Sequence, residues 1–202
     1  AQAQASNQWQ VFSPAHVNQG ISTGNHWLNF TLANPTTKPQ QRYLVSQTSY
    51  LDNITLYYRD NEGKAHRLDV TDRAPFHERP VDYRTIALPI ELPAHSRTEF
   101  YLQAFNQKAD SVTLGFRLLS HQQLLSLQQR EYAAMGGFYG ALGILLVMSL
   151  VFATMLRQVN ALYYALFLLS TAVMWLHLNG LGFQWLWPNA VYWHNEGFNI
   201  SF

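Results

Sequence analysis

Apolar and polar positions alternate along the first 119 residues, and from Ala133 the alternation gives way to long apolar runs. In Trp27-Leu28-Asn29-Phe30-Thr31-Leu32, the residues Leu28, Phe30 and Leu32 share one face, while Trp27, Asn29 and Thr31 share the other. That period of two is the signature of a half-buried strand. Asn34-Pro35 breaks the run, and Tyr43 to Gln47 and Asn53 to Arg59 read as the next strands. Asp60-Asn61-Glu62-Gly63-Lys64 is turn chemistry that returns through Ala65 to Val70. Arg84 to Leu92, Arg97 to Asn106 and Ser111 to Leu119 follow, the last with Val112, Leu114, Phe116 and Leu118 in alternation. Pro75, Pro80, Pro89 and Pro93 bound or interrupt segments, which suits edges and loops. Seven or eight short strands, each with one apolar face, predict an all-β antiparallel sandwich, with the jelly roll among its forms.

The second half has another period. Leu124, Leu125 and Leu127 open a helix that reaches Arg130 and Glu131. Ala133 to Leu156 is then an uncharged run of about 24 residues, and a bilayer core needs roughly 20. Ala161 to Leu178 makes a second span, interrupted by Ser170, Thr171 and His177, with Arg157 to Asn160 as the tight loop between. Asn179-Gly180-Leu181-Gly182 ends that helix, and Trp185, Trp187, Tyr192 and Trp193 form an interfacial aromatic cluster. A third span is expected from about residue 190. The expected partition is an N-terminal segment over 1–24, a sensor-sized sandwich over 25–119, a linker helix over 120–132 and the start of a helix bundle over 133–202.

Composition sharpens the division. Charged residues make up 12% of the chain, and beyond Glu131 there are only Arg157 and Glu196. The mean hydropathy of −0.13 averages two unlike halves. A net charge of +1 gives no reason to expect nucleic acid as a partner, and the absence of Cys excludes disulfides and thiolate metal sites. The opening Ala1-Gln2-Ala3-Gln4-Ala5 reads like a mature N-terminus after signal-peptide removal, or like a plain tail. Arg157, as the charge between the spans, places that loop in the cytoplasm and the sandwich outside.

Three stretches carry a family resemblance: Gly137-Phe138-Tyr139-Gly140-Ala141-Leu142, Leu156-Arg157-Gln158-Val159-Asn160-Ala161-Leu162-Tyr163-Tyr164, and Asn179-Gly180-Leu181-Gly182-Phe183-Gln184-Trp185-Leu186-Trp187-Pro188. Their order resembles the bacterial seven-transmembrane receptors with diverse intracellular signalling modules. Upstream, Tyr50 to Tyr57 and Asp72-Arg73-Ala74-Pro75-Phe76-His77-Glu78-Arg79-Pro80 look like that family's type 2 extracellular sensor domain. The resemblance implies a jelly-roll periplasmic domain, similar to carbohydrate-binding modules, anchored in the bacterial inner membrane. It also implies a cytoplasmic output such as a diguanylate cyclase, phosphodiesterase, histidine kinase or phosphatase, which this sequence does not contain.

A sugar-like ligand needs a flat ring to stack on and charged groups to fix hydroxyls or carboxylates. The candidate ligand-binding residues are Arg79, Trp27, Asp72, Tyr58 and Arg117. Trp27 lies on the face its strand's core does not need, with packing under a loop as its plain alternative. Arg79 could clamp a carboxylate with two parallel bonds; pairing with Asp72 or Glu78 to pin its loop is the structural alternative. Asp52, Asp69 and Asp72 lack the spacing of a calcium loop; His16, His26, His66, His77, His95 and His121 never fall in a ligand-spaced pair, and His177 and His194 lie in or near the membrane half. No metal, cofactor or catalytic residue is therefore expected, and the chain is read as non-enzymatic. Gly136, Gly140 and Gly143 give the first span a small-residue face, where a third span or a second copy could pack. The expected partners are a small molecule, possibly carbohydrate-like, membrane lipid and, in a homodimer, a second copy. The competing class is a periplasmic interaction or dimerisation module without a small-molecule ligand, which would show an apolar patch or a bare edge strand.

Overall fold

A computed structural model of the protein describes residues 9, 11, 17–49, 51–60 and 63–201, with the side chains of 108–110 and 198–201 left aside. Tyr50 of the sensor motif, Asn61 and Glu62 of the hairpin turn and most of the N-terminal segment lie outside the described residues.

Among the described residues, seven antiparallel strands build two sheets. They are β1 (Asn18–Asn34), β2 (Gln40–Ser46), β3 (Asn53–Arg59), β4 (Ala65–Thr71), β5 (Ala87–Leu92), β6 (Ser96–Thr113) and β7 (Phe116–Leu119). One sheet has the order β1-β6-β3-β4 and the other β5-β2-β7. Pairing β1 with β6 and β2 with β5 and β7 brings distant segments together, the crossing pattern of a jelly-roll sandwich. The alternation expected at β1 is realised: Leu28, Phe30 and Leu32 pack on a core that includes Ile54, Leu56, Leu88, Ile90, Phe100 and Leu102. Phe30 stacks on Phe100 at 5.4 Å. Each such side chain withdrawn from water contributes on the order of 2 kcal/mol.

Two strand limits differ from the sequence reading. β1 starts at Asn18, ahead of the Trp27 at which the alternation begins, because Gly20 (φ +71) and Gly24 (φ +99) let it pass two register shifts against β6. Ser111 to Leu119 is not one strand. Thr113 closes β6, Gly115 breaks the run, and β7 takes over at Phe116. Leu118 is consequently 40% exposed while Leu114 is buried.

The short sheet is covered on both sides. Leu44 of β2 enters the core, whereas Tyr43 and Val45 face Leu124 of α1 (His121–Met155), with Tyr83, Leu119 and Leu127 beside them. The expected linker helix and first span are thus one continuous 35-residue helix. Ser120 caps it: its Oγ accepts from the Gln123 amide at 3.3 Å while Gln123 Oε1 accepts from the Ser120 amide at 2.8 Å. Arg157, at φ +50, turns the chain into α2 (Val159–Leu178). Gly180 (φ +78) then leads to a π-helical turn, Gly182–Leu186, and α3 (Val191–Ser201) follows. α1 and α2 are long and apolar enough to cross a membrane. Ile144, Val147 and Phe167 are each at least 60% exposed, a surface that lipid would cover.

Candidate functional site

Two places gather polar chemistry with aromatic rings. The first is the outer face of the four-stranded sheet. Strand register aligns Trp27 with Gln103, Gln103 with Thr55, and Thr55 with Asp69 in one row. Asn29, Tyr101, Tyr57 and Arg67 form the next row. The Trp27 and Tyr57 rings stack at 5.9 Å and 27°, both half-buried. Tyr57 Oη donates to Gln103 Oε1 at 3.2 Å, and Gln103 Nε2 donates to Asn25 Oδ1 at 2.6 Å. Asn29 and Tyr101 both donate to Glu99, at 2.8 and 2.9 Å. At the β4 edge, Arg67 lies 5.8 Å from the Tyr57 ring and pairs with Asp69, which accepts from Thr55. Apart from Thr55, which is buried, these side chains lie on the outer face of the sheet, where Trp9 packs edge-on against Tyr101 at 6.3 Å, and the result is a hydrogen-bonded platform of rings and amides.

The second place is the seam where the β4–β5 connection meets the helices. Tyr83 Oη and Arg84 Nε both donate to Glu131 of α1, at 2.6 and 2.8 Å, and Arg84 Nη1 donates to the Asn179 carbonyl at the end of α2, at 3.1 Å. Burial pushes the Glu131 carboxyl up, but the bonds from Arg84 and Tyr83 outweigh it and hold the group below its ordinary range. Burial, reinforced by Glu131, pushes the Tyr83 phenol up. Gln128 Nε2 donates to the Asp82 carbonyl at 3.1 Å, Gln184 Nε2 to Asp82 Oδ1 at 2.8 Å, and Ser49 Oγ to the Leu178 carbonyl at 2.9 Å. The Phe76 amide donates to the Pro188 carbonyl at 2.9 Å.

Deeper in this seam sit Asp72 and Arg79. The Arg79 guanidinium lies 5.0 Å from the Phe76 ring and 5.1 Å from the Phe183 ring. Its one hydrogen bond runs from Nη1 to the Arg84 carbonyl at 3.5 Å, and Nε and Nη2 are buried without a partner. Asp72 Oδ1 is likewise buried without a partner, and no ion pair joins the two residues. Burial, then the Asp52 carboxylate, pushes the Asp72 carboxyl up to about 7, and burial lowers Arg79 to about 10.

The five candidate residues therefore do not meet in one site. Trp27 belongs to the sheet platform, and Asp72 and Arg79 belong to the seam. Tyr58 turns inward, stacked on His66 at 4.9 Å and tilted against Phe100 at 5.1 Å, at the margin of the core. Its direction follows from period two, since Ile54 and Leu56 of the same strand face in. Arg117 is exposed on β7, across the sandwich from the platform. Tyr57, Tyr101 and Gln103 were missed, because their neighbourhood depends on register between strands far apart in sequence. Tyr83, Arg84 and Glu131 were missed for the same reason. Among the described residues no cluster of His, Asp and Glu has the arrangement of a metal site.

A jelly-roll domain seated on membrane-crossing helices through a network of part-buried polar bonds defines a membrane receptor's outer and first transmembrane parts. Residues 1–120 match the family model described as 7TMR-DISM extracellular 2, and residues 131–202 match the one described as 7TM diverse intracellular signalling. The chain belongs to this family of seven-transmembrane signalling receptors, with its N-terminal domain extracellular. No curated protein matches the chain. A solved structure of TmCBM61 in complex with beta-1,4-galactotriose is similar at 12% identity, over 52% of this chain and 69% of its own, with a TM-score of 0.32.

Proposed function

We propose that the platform of the four-stranded sheet binds a carbohydrate-like ligand in the periplasm of a bacterium, and that binding biases the inner-membrane helices toward one signalling state. The output, such as cyclic-di-GMP turnover or a histidine kinase, would be carried by parts of the receptor outside these residues, and residues 1–202 themselves would bind rather than catalyse. One observation carries the reading: the stacked Trp27 and Tyr57 rings lie on a solvent face, flanked by Asn25, Gln103, Arg67 and Asp69. Rings take the C–H face of a pyranose, and amides and carboxylates take vicinal hydroxyls by paired hydrogen bonds. A ligand of this kind acts only through differential affinity for two states, typically about 1–3 kcal/mol of coupling. The interaction-module alternative has less support, since the β4 edge carries Arg67 and Asp69, charges that discourage strand addition.

The test is a panel of soluble oligosaccharides titrated into the detergent-solubilised chain, read by tryptophan fluorescence and calorimetry. Tyr57→Ala and Trp27→Ala should each weaken binding about tenfold, the loss of roughly 1.4 kcal/mol of stacking, with little change in melting temperature. A panel without a binder, or variants that bind as the parent does, would defeat the proposal.

A further inference from the structure

Arg79 is held in an arrangement that a purely structural arginine does not need. Its neighbour Arg84 shows the ordinary solution: a carboxylate on Nε and a carbonyl on Nη1. Arg79 instead has its plane flanked by Phe76 and Phe183, which fix its orientation, while the Nε–Nη2 edge is left buried and unanswered. That edge is the side of a guanidinium that takes two oxygens of one oxyanion in parallel. An unsatisfied buried donor costs on the order of its full desolvation, so two on one group mark a place for a partner. The complementary orphan is close by: Asp72 Oδ1 is a buried acceptor without a donor, near enough to act on Arg79 electrostatically. His194 of α3, stacked on Phe183 at 4.0 Å, lies near enough to feel the Arg79 charge and has its Nδ1 unpaired. Asn195 of α3 ties the spot to the third helix through a 3.4 Å bond to the Asp72 carbonyl.

We propose that this seam is a second binding site, in which Nε and Nη2 of Arg79 hold an oxyanion and Asp72 receives a hydrogen-bond donor carried beside it on the same ligand. The chemistry is that of a free amino or hydroxy acid, or of an ethanolamine-phosphate lipid headgroup, and the interfacial Trp185 and Trp193 leave both sources within reach. The site would join the sensor loop to the start of α3, so occupancy stabilises their contact. It does not rest on the sheet platform binding sugar, and Tyr57→Ala should leave it untouched.

The experiment uses the whole chain. In the first arm, dodecyl maltoside samples are melted with L-serine, lactate, acetate or ethanolamine. In the second, nanodiscs of pure phosphatidylcholine are compared with nanodiscs containing phosphatidylethanolamine. A free ligand should raise the melting temperature by roughly 5 °C at about 100 times its Kd, with serine or lactate ahead of acetate and ethanolamine. A lipid source should give the shift in the second arm alone. Arg79→Lys keeps the charge but not the fork and should weaken the response at least about tenfold. Asp72→Leu, which has similar branching but no acceptor, should remove the preference for donor-bearing ligands. No shift in either arm would overturn the site, as would an Arg79→Lys protein responding like the parent, or acetate matching serine.

Discussion

Glu131→Ala should loosen the sensor domain from its helices, and the size of the effect follows from the seam. The Glu131 carboxylate accepts from Tyr83, which is 1% exposed, and from Arg84, whose side chain is 14% exposed. Truncating one partner of a fully buried pair costs about 3–5 kcal/mol. Glu131 retains 22% exposure, and Arg84 keeps its bond to the Asn179 carbonyl, so about 2 kcal/mol is the scaled loss. For a chain of this size that is roughly 4–8 °C in melting temperature, followed by circular dichroism in detergent. Adding Arg84→Ala closes a double-mutant cycle, whose coupling should be about 1–2 kcal/mol. The folded-state carboxyl lies below its ordinary range, so its contribution is present above about pH 4.3 and lost as pH falls through the folded value. Backbone amides from Tyr83 to Thr85 should exchange faster in the variant at neutral pH. Additive single mutants, or an unchanged melt together with unchanged exchange, would refute the claim that this clasp holds the seam.

Asp72 should act in the opposite sense. Its carboxyl titrates near 7 when folded, so the folded state holds a proton that the unfolded chain releases near pH 4, and stability falls as pH rises between those values. Asp72→Asn should raise the melting temperature at pH 8 and leave it unchanged below pH 4, and parallel parent and variant curves over that window would refute this. Gly180→Ala should cost at least about 2 kcal/mol, because the new methyl would sit at φ +78 and 2.5 Å from the Arg84 carbonyl oxygen. Gly136→Ala, whose Cβ meets nothing within 4 Å, is the control: it gains about 1 kcal/mol of helix propensity and should melt up to about 4 °C above the parent, not below it.

Much of the architecture was legible in the sequence because it rests on local periods. Leu28, Phe30 and Leu32 declare an inward face by alternation alone, and Ala133 to Leu156 declares a span by length and lack of charge. The same rule carried to Tyr58 would have turned it inward. Gly115 was the available warning that Ser111 to Leu119 is two pieces. What stayed hidden depends on pairing across long sequence separations: Trp27 meets Tyr57 only because β1 and β3 both flank β6. Glu131 meets Arg84 only because α1 packs against the short sheet. Arg79 and Asp72 share a motif, but no local rule says that they stop short of pairing or that Asn195 of α3 reaches the Asp72 carbonyl.

The unbroken run of α1 gives this receptor a lever. Thirty-five residues at 1.5 Å each make a rod of about 52 Å, whose upper end is wedged against β2 and clamped by Arg84. A pivot of only 5° at that wedge would displace the opposite tip by about 4–5 Å, close to one helical turn's pitch. Sub-ångström repacking beneath the sandwich would thus arrive on the far side of the bilayer as a movement large enough to re-register neighbouring helices.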